Sequence, residues 1–169
     1  MTTRTTILVP IRYPLTEQST QTLAAAARLA QENASAELVV LHVNLFQTGD
    51  KTQTSEISHA IASILDGTTA SVLTRRGFLV EEVILEEAAQ SHADIIVVGA
   101  NQRPTWRKVL SELTGNGLAV AAFLREHVNS NVEIIEVDSL TADVLTPAKD
   151  SADQRTENRP RVALTAELD

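Results

Sequence analysis

The sequence predicts an α/β fold, an open five-stranded parallel sheet with helices on both faces. Three observations predict it. Short continuous apolar runs of strand length alternate with segments of helical periodicity along the chain. Apolar residues make up 43% of the chain and aromatics only 3%, so the core is built from Val, Ile, Leu and Ala, as suits a buried sheet under closely packed helices. The 169 residues suit one such domain.

Thr6 to Ile11, TILVPI, reads as a strand buried on both faces. Thr16 is a plausible N-cap with Glu17 in the first turn. Leu23, Ala26, Ala27 and Ala30 then recur at helical spacing through Glu32. Glu37 to Val43 is a second buried strand. Ile57, Ile61, Ile64 and Leu65 mark an amphipathic helix that Asp66-Gly67 ends. Ala70 to Thr74 is a third strand, with Arg75-Arg76-Gly77 as its exit. Val80, Val83, Ile84 and Ala88 define a third helix, with Glu81, Glu82, Glu86 and Glu87 as a solvated face. Ala93 to Gly99, ADIIVVG, is the clearest strand. A loop at Asn101 to Pro104, a short helix around Trp106 to Leu113 and a break at Gly115-Asn116-Gly117 follow. Leu118 to His127 is a further helix and Val132 to Val137 the last strand.

Residues 1–138 form this domain. From Asp138 the composition changes to seven acids, four bases and two prolines in thirty-two residues. The sequence predicts an acidic, mostly disordered tail over 139–169. Val162 to Leu168 keeps faint ordering potential and is the part suited to docking on a partner.

The net charge is −8, which argues against general nucleic-acid binding. With no cysteine there is no disulfide, thiolate metal site or cysteine nucleophile. No apolar run approaches the ~20 residues of a membrane span, and Met1 to Thr6 does not read as a signal peptide, so the expected location is cytoplasmic. Eleven Arg stand against three Lys. An acidic, lysine-poor chain fits a halophilic cytoplasm and a base-composition bias equally.

This order of elements resembles the universal stress protein (UspA-like) family, of the adenine-nucleotide α-hydrolase-like fold. Four matches carry the resemblance: ILVPI at Ile7 to Ile11; LVVLHV at Leu38 to Val43; Gly77 with the helix containing Ile84 and the DIIVVG run at Asp94 to Gly99; and VEIIEV at Val132 to Val137. The resemblance implies a strand order of 3-2-1-4-5 and a homodimer formed through the last strand by Val132, Ile134, Ile135 and Val137. An apolar edge strand is itself a pairing template.

The resemblance also implies where a ligand would sit. In open parallel sheets it lies beyond the strand C-termini where strand order reverses, here between the first and fourth strands. Nucleotide-binding members carry G-x2-G-x9-G-[S/T] after the fourth strand, because glycines let backbone amides approach phosphates. This chain keeps Gly99 but has Gln102 in the second position and Glu112 and Leu113 in the third and fourth. With a longer loop Gly117 becomes the third glycine, and Leu118 then replaces the hydroxyl residue. The family's acid two positions after Pro10 is Arg12 here, a planar donor suited to phosphate or carboxylate.

The expected function is therefore a non-enzymatic dimeric binding or regulatory module in stress physiology. The alternative is a nucleotide- or anion-binding member with a remodelled loop, up to and including a slow ATPase. Its ATP or other phosphate-bearing ligand would lie among Pro10, Arg12, Val43, Gly99, Asn101, Gln102, Arg103, Asn116 and Gly117. Arg12, Arg75, Arg76, Arg103, Arg107 and Lys108 would line one edge of the sheet and focus an anion. An atypical ATP site needs open space between Ile11 and Gly99, whereas a scaffold fills it with Tyr13, Trp106 or Gln102. His42 reads as a satisfied strand histidine. The other three histidines have no metal spacing, so neither a metal nor a catalytic residue is expected.

Overall fold

The computed structural model describes residues 4–49, 51–100 and 120–138. Its elements run β1 (Thr5–Ile11), α1 (Glu17–Glu32), β2 (Ala36–Leu45), α2 (Thr54–Leu65), β3 (Ala70–Gly77), α3 (Val80–Gln90), β4 (Ile95–Gly99), α4 (Val120–His127) and β5 (Glu133–Val137). All strand pairings are parallel, and the sheet order is β3-β2-β1-β4-β5. The predicted α/β class and strand order are both present.

Alternation along the strands divides the core in two. Ile7, Val9, Ile11 and Val97 face α1 and α2, where Leu23, Ala26, Ala27, Ile57 and Ile61 bury them. Leu8, Ile96 and Val98 face α3 and α4 and pack on Val83, Ile84, Ala88, Val120 and Leu124. The small side chains of α1 let its axis lie close to the sheet. Thr16 caps α1 as expected, its Oγ1 accepting from the Ser19 amide at 3.1 Å. Asp66 ends α2 in the left-handed region at φ 46°, followed by Gly67 at φ 82°.

Two expectations need correction. The exit predicted at Arg75-Arg76-Gly77 is part of β3, which stays paired with β2 as far as Leu45↔Gly77. β3 has one strand neighbour among the described residues, and backbone pairing at such an edge tolerates charged side chains. The four glutamates of α3 do not form one solvated face either. Glu82 and Glu86 are exposed, but Glu81 and Glu87 are buried. Glu81 lies on the i, i+3, i+7 line with Ile84 and Ala88, and Glu87 stands three positions after Ile84 and four after Val83. Burial of Glu87 is compensated by Arg75, whose Nε lies 2.7 Å from its Oε2.

Candidate functional site

The strands separate at the point where strand order reverses. β1 stays in register with β2 to Ile11↔His42, but its pairing with β4 runs only through Leu8↔Ile96. β4 continues with β5 to Gly99↔Val137. Pro10 lies in the separated part of β1, where it has no N–H to offer a neighbour. The last residues of β1 and of β4 are thus not paired with each other, and this is where the fold topology places a ligand crevice.

The β1 side of this crevice is tied down by hydrogen bonds. Nδ1 of His42 donates to the Ile11 carbonyl at 3.3 Å. The Arg12 amide donates to Ser19 Oγ at 3.1 Å, and the Thr16 hydroxyl also donates to that oxygen at 3.1 Å. Ser19 is fully buried, so its hydroxyl fixes the β1 exit to the first turn of α1 rather than facing a ligand. Tyr13 packs on the α1-side core and meets the His42 ring edge-on at 6.3 Å. The Arg12 side chain is exposed, and among the described residues no carboxylate pairs with it. Val43 is half-buried against the α3-side core.

The β4 side is occupied by Gln18. A methyl group added at Gly99 would lie 2.6 Å from Nε2, 2.7 Å from Cγ and 3.0 Å from Cδ of Gln18. All three are well inside van der Waals contact. The Gln18 side chain therefore fills the notch that the missing Cβ leaves on the α1 face of β4. Its Nε2 donates to the Val137 carbonyl at 2.9 Å, and the Ala100 amide donates to the same oxygen at 2.9 Å. The sequence reading did not single out Gln18. The signal was present in the stripe of α1: stepping back by four from Ala30 gives Ala26, Thr22 and then Gln18, a polar residue on the sheet-facing line.

Of the predicted ligand residues, Pro10, Arg12, Val43 and Gly99 lie at or beside the crevice. Asn101, Gln102, Arg103, Asn116 and Gly117 lie outside the described residues, as do Trp106, Arg107 and Lys108. The predicted band of bases does not include Arg75 and Arg76 as free rim charges. Arg75 is paired with Glu87, and the Arg76 guanidinium sits 4.8 Å over the Phe46 ring. Phe46 in turn contacts Phe78 at 4.7 Å between centroids. Val132, Ile134, Ile135 and Val137 are all half-buried. The first two lean on the α3-side core and the others on the α1-side core. A depression of about 340 Å3 at the N-terminal ends of β2 and β3, lined by Gln31, Asn33, Asp66 and Thr68 among others, brings no base to its single carboxylate.

The universal stress protein family model matches residues 3–123. The chain belongs to the universal stress protein family. Similar solved structures bear the same fold. One is a universal stress protein in complex with cAMP, 19% identical, covering 80% of this chain and 98% of its own, with a TM-score of 0.58. Another, from Archaeoglobus fulgidus, is 19% identical over 79% of this chain and 43% of its own, with a TM-score of 0.53. A third family protein, from Burkholderia pseudomallei, is 19% identical over 81% of this chain and 98% of its own, with a TM-score of 0.52. No curated protein matches the chain in sequence. Among the described residues no helix is long and apolar enough to cross a membrane.

Proposed function

We propose that this universal stress protein is a non-enzymatic, homodimeric binding or regulatory module of the stress response, acting in the cytoplasm, and that ATP binds it weakly or not at all. The observation that carries the reading is the filled notch at Gly99, where an ordinary nucleotide loop relies on close approach to a bare glycine backbone. Arg12 in place of the family's acid removes the expected nucleoside contact and leaves a donor suited to an anion. Among the described residues, Ser19 and His42 beside the crevice are both bonded to backbone groups of the β1 exit. Neither is aimed as a nucleophile or base. Dimerisation through β5 is supported by its place at the end of the sheet and its half-buried apolar side chains.

One specific observation favours a second reading. A similar structure, matched over 98% of its length, holds cAMP. A small nucleotide without a triphosphate makes fewer demands on the phosphate loop, and Arg12 could meet its single charge. Titration calorimetry with ATP, cAMP and inorganic phosphate separates the readings. The scaffold reading expects no heat of binding from ATP at protein concentrations of tens of micromolar. Micromolar ATP binding unchanged by Arg12→Ala removes it.

A further inference from the structure

We infer that Gln18 is the specificity-determining residue of the crevice: its side chain keeps phosphate-bearing ligands away from Gly99, and a smaller residue at that position admits them. The inference deepens the reading above and rests on it, since it names the side chain that makes the site poor. Three observations combine. Gly99 alone of the family's phosphate glycines is kept at its expected position. Gln18 Nε2, Cγ and Cδ lie 2.6, 2.7 and 3.0 Å from where a Cβ would stand on Gly99, so they cover that residue on its α1 face, and a phosphate approaching the Gly99 backbone from this face meets them. The obstructing side chain is held, because the Val137 carbonyl anchors its amide at 2.9 Å. Its backbone is held too: Thr22 Oγ1, on a fully buried residue, donates to the Gln18 carbonyl at 2.7 Å. Gln18 thus stands in the notch with both its side-chain amide and its backbone carbonyl bonded.

Alanine at position 18 removes every side-chain atom that fills the notch while leaving the helix cap at Thr16 in place. Leucine keeps much of the bulk and loses the amide, donor and acceptor alike. The two substitutions therefore separate obstruction from the loss of a structural hydrogen bond.

The test is calorimetric titration of wild type, Gln18→Ala, Gln18→Ser and Gln18→Leu with ATP and with inorganic triphosphate, alongside thermal melts of each. The expected result is that Gln18→Ala and Gln18→Ser bind triphosphate at least about tenfold more tightly than wild type, the worth of roughly one hydrogen bond. Gln18→Leu stays at the wild-type level although its melting point falls with that of the alanine variant. Gln18→Ser keeps the test decisive if the alanine variant does not fold. Equal affinity in wild type and both small variants overturns the role of Gln18, whether all bind or none does. Tight ATP binding by wild type overturns the scaffold reading instead. If the small variants then bind tighter still, the role of Gln18 stands by itself.

Discussion

Substituting Gly99 by alanine tests the packing on which the site argument depends. No left-handed φ is required at Gly99, so alanine is compatible with its backbone, and the added methyl is the whole perturbation. That methyl would lie 2.6 Å from Gln18 Nε2 and 2.7 Å from Cγ. Gln18 must therefore leave, and its hydrogen bond to Val137 goes with it. The bond alone is worth about 1 kcal/mol, and residual overpacking adds up to about 2 kcal/mol if the side chain cannot swing fully clear. Gly99→Ala should then cost about 1–3 kcal/mol in urea denaturation. In a Gln18→Ala background the obstruction is gone. There the methyl should be neutral or stabilising by up to about 0.5 kcal/mol, because glycine in a strand carries excess backbone entropy. The double-mutant cycle thus predicts a coupling of at least about 1 kcal/mol and a possible change of sign. Additivity within about 0.5 kcal/mol would refute the claim that Gln18 occupies the notch.

Three further outcomes are expected. Ile135→Lys, on β5, should convert the dimer to monomers or prevent folding, read by light scattering; a monomeric wild type at high concentration removes the proposed interface. Arg75→Leu should destabilise by about 1–3 kcal/mol, because it strands Glu87, whose side chain is only 5% exposed, while Arg75 itself is 42% exposed and keeps the cost from the upper range for buried pairs. A chain ending at Leu140 should melt within about 4 °C of the full-length protein, roughly 1 kcal/mol for a domain of this size; a larger drop means that residues beyond 140 pack on the core.

The fold was legible because each strand of the sheet centre is a continuous apolar run, TILVPI, LVVLHV and IIVVG, and because the helices between them carry 3.6-residue stripes. The strand order was not in the periodicity. It came from the likeness of those runs, in sequence, to a family pattern. What the pattern misread has one physical origin, pairing between distant positions. Arg75 and Glu87 each look solvated in one dimension, but together they bring a charge pair to the α3–sheet interface, twelve positions apart. β3 looked finished at Thr74 because its next residues are charged, yet β2 supplies ladder partners as far as Gly77 whatever the side chains are. Gln18 looked like an ordinary first-turn residue, and only the absence of a Cβ at Gly99, eighty-one positions on, explains its setting. Of the site residues, Pro10, Arg12, Val43 and Gly99 could be compared with the structure. The expectations for Asn101, Gln102, Arg103, Asn116 and Gly117 concern positions outside the described residues.

The crevice and the edge strand meet at one atom. The Val137 carbonyl accepts from the Ala100 amide, which leaves β4, and from Gln18, which leaves α1. The same strand carries the apolar side chains assigned above to the dimer, and Ile135 and Val137 lean on the core that α1 covers. Any ligand that displaces Gln18 from Gly99 therefore releases one of the two donors holding the end of β5. Conversely, a partner that shifts β5 alters the anchor of the residue filling the notch. On the proposed reading, ligand occupancy and the placement of β5 are linked through the Val137 carbonyl, because displacing Gln18 removes one of its donors. On the proposed reading this linkage gives a binding module without catalysis a way to report occupancy, through the strand by which it assembles.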